Sequence, residues 1–216
     1  MTRIVVLTAG LRQPSSSRLL ADRLASATGS ALAERGQPAE LEVVELREYA
    51  RELTNHLLTG FPAQRLSALI DRVVRADGLI VVSPIFSGSY SGLFKTFFDV
   101  LEPESLAGKP VLLGATGGTA RHSLSLEYAL RPLFSYLRSV VVPTAVYAAP
   151  EDWGSDAQLS ARVARAAGEL ADLVRPRSGS TPGARRPEEN DDELVPFERL
   201  LAGQPSRAAA TGAPGA

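Results

Sequence analysis

Short apolar runs recur along this chain, and each is followed by a segment with helical spacing. The runs are Ile4 to Thr8, Leu41 to Leu46, Leu79 to Val82, Val111 to Thr116 and Val140 to Tyr147. Helical patterns are expected from Ser17 to about Arg35, Thr59 to Ala76, Gly92 to Leu101, Ser123 to Leu137 and Asp156 to Val174. The second of these carries Leu66, Leu69, Ile70, Val73 and Val74 at helical spacing, and the fourth is interrupted near Pro132. A continuous apolar run such as Leu79-Ile-Val-Val82 reads as a strand buried on both faces, as in a parallel sheet. Leu41 to Leu46 alternates and reads as more exposed. Five strands alternating with helices predict a doubly wound α/β sheet. Right-handed crossovers leave few topologies, and the order 2-1-3-4-5 fits best. It brings the small-residue loops after strands one, three and four to the carboxyl edge, where such sheets bind ligands.

Composition narrows the function classes. The 216 residues carry a formal charge of −1 and no cysteine. Disulfides, thiol catalysis, Fe–S clusters and thiolate zinc sites are excluded. The near-neutral balance makes no electrostatic case for nucleic acid or a membrane surface. No apolar run reaches the roughly 20 residues of a membrane-spanning helix. Met1-Thr-Arg-Ile enters a strand-like run without a signal-peptide pattern, so a cytoplasmic location is expected. Composition shifts at Pro176. Residues 1–175 read as one domain, and 176–216, rich in Pro, Gly, Ala and charge, as a disordered tail. Leu194 to Leu201 is an apolar island there, either a short docking helix or a transient one.

Three loops carry candidate chemistry. The first, Thr8 to Arg18, gathers Gly10, Arg12, Ser15, Ser16, Ser17 and Arg18 before a helix N-terminus. Hydroxyls, backbone N–H groups and guanidinium groups are what a phosphate needs. A plain helix cap explains one serine, not three with an arginine. Both the Walker A pattern and the Gly-x-Gly-x-x-Gly fingerprint are missing, which favours a mononucleotide phosphate. The second loop is Ser83-Pro84-Ile85-Phe86-Ser87-Gly88-Ser89-Tyr90-Ser91-Gly92. Its glycines and serines allow close approach to a planar ring, although Phe86 and Tyr90 also suit a core. Tyr90 stands where a hydrolase elbow would need serine, so that chemistry loses its nucleophile. The third loop runs from Ala115 through Thr116, Gly117, Gly118 and Thr119 to Arg121 and His122. Its paired glycines let backbone approach a ligand, and His122 lies beside the candidate ring site. His56 falls in an expected loop and receives no role. Trp153 reads as a lid, a subunit contact or packing at the sheet edge. No histidine–carboxylate set has metal-ligand spacing.

These segments together resemble the NAD(P)H-dependent FMN reductases of the flavodoxin-like fold, from about Arg3 to Leu173. The most similar branch supplies reduced flavin to two-component monooxygenases, as in alkanesulfonate desulfonation. Arg12-Gln-Pro-Ser15-Ser-Ser17 resembles the family's phosphate loop, Ser83 to Thr96 its flavin-ring loop, and Ala115 to His122 with Tyr128 to Phe134 a stretch of that branch. Many relatives have tyrosine at Phe86. The resemblance implies that Arg12, Ser15 and Ser17 hold the FMN phosphate, and that Pro84 to Gly88 and Thr116 to Gly118 frame the isoalloxazine. It implies hydride transfer from NAD(P)H to FMN without a dedicated acid or base. Backbone N–H groups of Gly117 and Gly118 are expected at the N1/O2 edge, and that of Gly88 at N5. A homodimer or homotetramer and a monooxygenase partner are implied too. Rival readings are an FMN-bound quinone or azo reductase and a flavodoxin-like electron carrier. Arg121 is a candidate partner for a nicotinamide 2′-phosphate.

Overall fold

The computed structural model describes residues 1–154 and 156–174. The expected tail, its island at 194–201 and the exact end of the domain lie outside the described residues. The strands are β1 (Thr2–Thr8), β2 (Ala39–Glu45), β3 (Gly78–Phe86), β4 (Ser89–Tyr90), β5 (Pro110–Thr116), β6 (Val140–Val141) and β7 (Val146–Ala148). The helices are α1 (Ser16–Glu34), α2 (Ala50–Thr59), α3 (Gln64–Arg75), α4 (Gly92–Asp99), α5 (Arg131–Tyr136) and α6 (Asp156–Leu173).

Five neighbouring positions form the parallel sheet in the order β2-β1-β3-β5-β6, with β7 also on β5 and the two-residue β4 turned back on β3. The order 2-1-3-4-5 therefore holds, but with seven strands rather than five. One extra strand comes from a break in the expected run at 140–147. Pro143 cannot donate to the ladder there, and side chains satisfy the freed groups. Arg131 donates to the carbonyls of Val142 and Pro143, both at 3.1 Å, and Glu169 accepts from the N–H and hydroxyl of Thr144, both at 2.7 Å.

The other extra strand overturns the expected ring loop. β3 does not stop at Val82 but runs on to Phe86, where it turns into β4 with Ile85 opposite Tyr90. Ser87 and Gly88 form the two-residue turn, with φ of 50° and 82°. Two consecutive positive φ values are the mark of a hairpin turn that follows the twist of its strands.

Three helix expectations need correction. The segment from Thr59 begins as a helix only at Gln64, after an exposed Gly60-Phe-Pro-Ala63 connection. His56 lies on α2, not in a loop. The stretch from Ser123 to Leu137 is not one helix: it follows a 3-10 turn at Ala120–His122 and consists of a wide π-type turn at Leu126–Leu130 and then α5, with Pro132 in its first turn. Proline lacks the N–H that a continuous helix needs, and the first turn is where that is tolerated.

Alternating residues of the central strands feed two cores. Val5 and Leu7 of β1 join α2, α3, α4 and α5 on one face, while Ile4 and Val6 join α1 and α6 on the other. On the first face Phe94, Phe98 and Phe134 pack with ring centroids 4.9 to 6.2 Å apart. Truncating a ring such as Phe94, fully buried here, typically costs about 3–5 kcal/mol. Such packing fixes α4, and with it the hairpin that leads into the helix.

Candidate functional site

The loops after β1, β3 and β5 meet at the carboxyl edge of the sheet and are stitched to one another. The Ala9 N–H donates to the Val82 carbonyl at 2.9 Å. Ser17 Oγ and Thr116 Oγ1 share a buried hydrogen bond of 2.7 Å, joining the first turn of α1 to the end of β5. Ser125 Oγ donates to the Gly88 carbonyl at 3.2 Å, tying the hairpin tip to the segment after β5. Three loops distant in sequence are thus held as one surface.

In the first loop each residue has a distinct job. Ser15 caps α1, accepting from the Arg18 N–H at 3.2 Å. Gly10 leaves room for that cap, since a Cβ there would meet Ser15 Oγ at 2.0 Å. Ser17 is buried, whereas Ser16 and Arg12 are exposed. Arg12 makes no ion pair with the described residues. Arg18, grouped with it in the sequence reading, is occupied: it pairs with Asp22 at 2.8 Å and Glu45 at 2.9 Å. The hydrogen bond to Asp22, and then the charges of both carboxylates, hold its pKa above the ordinary arginine value. That leaves Arg12 as the cation available to a phosphate, beside the N-terminus of a 19-residue helix.

The hairpin divides its residues between packing and exposure. Ser83 and Ser91 are structural. Ser83 Oγ accepts from the Ser91 N–H at 3.0 Å and donates to the Pro84 carbonyl at 2.9 Å, while Ser91 caps α4 by accepting from the Phe94 N–H at 3.2 Å. Ile85 is buried in the core, so its side chain is not offered to a ligand. Pro84 is half-buried, and Phe86, Ser87 and Gly88 are exposed at the tip. Tyr90 leans on Phe94 with centroids 5.8 Å apart.

In the third loop Gly117 and Gly118 part company. The Gly117 N–H donates to the Ala148 carbonyl at 3.3 Å, extending the ladder between β5 and β7. It is therefore not free to serve a ligand, contrary to the sequence expectation. Gly118 is exposed, a Cβ on it would meet nothing within 4 Å, and its N–H has no partner among the described residues. His122 and Arg121 are exposed on the following turn. Sequence reasoning missed Tyr147, whose buried hydroxyl donates to the Thr119 carbonyl at 2.8 Å from beneath this loop. Its place inside an apolar run gave no signal. Trp153 packs against the α1 and α6 core with Arg23 at 5.2 Å from its ring, which is packing rather than a lid.

Comparison with known proteins decides the family. A family model described as NADPH-dependent FMN reductase matches residues 2–154. The chain belongs to this family. It is 37% identical over 180 residues to an FMN reductase (NADPH) of Pseudomonas aeruginosa, covering 82% of this chain and 94% of that one. It is 36% identical over 175 residues to the NADH-dependent FMN reductase SfnF of Pseudomonas fluorescens, covering 79% and 91%. The X-ray structure of an oxidoreductase from Corynebacterium diphtheriae superposes with a TM-score of 0.79 at 45% identity, covering 81% of this chain and 97% of that chain. The flavodoxin-like fold and the NAD(P)H-dependent flavin reductase class expected from the sequence are both supported by these relatives.

The residues present fit FMN. An exposed Arg12, without an ion pair among the described residues, beside a helix N-terminus suits a phosphate, and a Gly118 N–H without a partner among them, with an exposed hairpin tip, suits the edge of a planar ring. The Thr8 hydroxyl, buried at the end of β1 without a partner among the described residues, is a further polar group left at this edge.

Proposed function

We propose that this protein transfers hydride from NAD(P)H to FMN at the carboxyl edge of its sheet and passes the reduced flavin to a partner monooxygenase. The observation that carries the reading is the joining of three loops by the Ala9–Val82, Ser17–Thr116 and Ser125–Gly88 hydrogen bonds. They hold phosphate-type donors and ring-type donors on one rigid surface. FMN supplies the redox chemistry when bound, and the protein supplies position and electrostatics. Arg12, the exposed Ser16 and the first N–H groups of α1 would hold the phosphate. Ser15 and Ser17 shape that loop from below, and Gly10 gives it room. Pro84 and Phe86 to Gly88 would take one side of the ring, with Ile85 contributing backbone alone. Thr116 and Gly117 would support the other side, and the Gly118 N–H would face charge developing on the ring edge. His122, exposed on the turn that follows, would lie beside the ring. Holding the nicotinamide against the ring captures the proximity gain without a general acid or base.

Relatives named for FMN as the acceptor support the supplier reading, because reduced flavin that leaves one protein needs another to consume it. A homo-oligomer is part of the proposal. Leu124, Tyr128 and Tyr136 are 61%, 79% and 86% exposed along the segment from the third loop to α5, an apolar row suited to a second copy.

The direct test follows nicotinamide absorbance with FMN, a quinone or neither added. Oxidation that depends on added FMN and saturates supports the proposal. Oxidation that needs a quinone and ignores added FMN sinks it in favour of a quinone reductase.

A further inference from the structure

We infer that Tyr147 is a positioning residue for the flavin-ring loop, acting through its hydroxyl on the Gly117-Gly118-Thr119 turn. The inference rests on the FMN reading above and goes beyond it, because Tyr147 belongs to none of the three loops.

Three observations converge on this phenol. Tyr147 sits on β7 opposite Ala115 of β5, so its side chain lies on the same face of the sheet as Ala115, two residues before Gly117. The residue is 4% exposed, and its hydroxyl donates to the Thr119 carbonyl at 2.8 Å. The hydroxyl also occupies the space a Cβ on Gly117 would need, at 2.1 Å, with the ring carbon that bears it at 3.2 Å. The turn is therefore fixed from both ends. Gly117 lies against the phenol, and Thr119 is held by it. Between them stands Gly118, whose N–H has no partner among the described residues. A backbone donor meant for a ligand must be aimed by something other than its own hydrogen bond, and here the aim comes from below. Burial, with the nearby charges of Asp152 and Glu151, keeps the phenol protonated well past neutral pH, so the donor persists.

The geometry makes two predictions that a packing role alone does not. Tyr147→Phe keeps the ring and removes the donor. Loss of one such hydrogen bond is expected to raise the FMN dissociation constant and apparent KM about three- to tenfold. Ser139→Ala is the control: Ser139 Oγ donates to the Leu106 carbonyl at 3.2 Å, beside the start of β5 and away from the three loops. It deletes a comparable hydroxyl–carbonyl bond and should leave FMN affinity unchanged. The second prediction is coupling. Gly117→Ala should weaken FMN more than Tyr147→Phe does, because its Cβ meets the hydroxyl at 2.1 Å. Adding Tyr147→Phe removes the closest contact and should recover part of the loss.

The experiment measures quenching of FMN fluorescence and steady-state NAD(P)H oxidation for the wild-type chain, Tyr147→Phe, Ser139→Ala, Gly117→Ala and the Tyr147→Phe/Gly117→Ala pair, with a thermal melt of each. Weaker FMN binding in Tyr147→Phe but not Ser139→Ala, with partial rescue in the pair, supports the inference. FMN binding in Tyr147→Phe equal to wild type, or strictly additive effects in the pair, overturns it. If the wild-type chain neither binds FMN nor oxidises NAD(P)H with it, the FMN reading itself fails, and that outcome is distinct.

Discussion

The two ends of this sheet differ in what they do with polar groups. At the amino edge a cleft of about 230 Å³ lies between β1, β2 and α3, lined by Arg3, Ile4, Val5, Glu40, Glu42, Asp71, Arg72 and Arg75. There Arg3, Glu40, Glu42 and Arg72 answer one another. Arg72 pairs with Glu42 at 3.1 Å and Arg3 with Glu40 at 3.9 Å, and Asp77 accepts from the Arg3 N–H at 2.8 Å. At the carboxyl edge Arg12 and the Gly118 N–H are left without partners among the described residues. This cleft thus sits away from the unsatisfied donors. On the proposed reading, the FMN site is marked by polar groups left over after the loops have been stitched together.

The largest effect is expected at the hairpin tip. Gly88 has φ of 82°, and a β-branched residue there is strained whatever room it has. Gly88→Val should abolish FMN-dependent turnover while the rest of the sheet stays folded, as read by NAD(P)H oxidation beside circular dichroism. Next in size is Arg12→Ala. Removing one charge-assisted contact should raise the apparent FMN KM about ten- to a hundredfold with little change in kcat. At the amino edge Arg72→Ala should leave FMN kinetics unchanged and cost under about 1 kcal/mol in a denaturant melt, since its ion pair is exposed. The smallest effect concerns Glu127, whose carboxyl pKa is lowered chiefly by its hydrogen bond to Arg131 one helical turn on. Its stabilisation is present above the ordinary carboxylate pKa and is lost as pH falls through the lowered value. The Glu127 side chain is 47% exposed, so screening keeps this to a few tenths of a kcal/mol. Glu127→Gln should flatten the acid limb of a stability–pH profile by that amount, and an unchanged limb would remove the pair from the account.

The sequence showed the parallel sheet and its order because buried strands such as Leu79 to Val82 are apolar on both faces, a pattern with few alternatives. It hid the hairpin because Ser83-Pro84 looks like a strand end, whereas the Ser83 hydroxyl in fact supports the chain beyond it. It hid the break at Pro143, whose freed carbonyls are satisfied by Arg131, a residue on a different element. In the first loop the residue types were legible but their division of labour was not. Whether a serine caps, braces or faces solvent depends on Thr116, which stands 99 residues from Ser17. Tyr147 was invisible for the same reason, since its partner turn comes 28 residues earlier. Local chemistry reads well from a sequence, whereas contacts between loops need the fold.

Binding of FMN at the carboxyl edge, with Arg12 on its phosphate, is the proposal on which the rest depends. The most direct measurement is quenching of FMN fluorescence by the wild-type chain, by Arg12→Ala and by Arg72→Ala. Saturable quenching by the wild-type and Arg72→Ala chains, with affinity lost in Arg12→Ala, is the predicted result. Equal affinity in all three, or loss only in Arg72→Ala, would contradict the account and move the site to another part of the molecule.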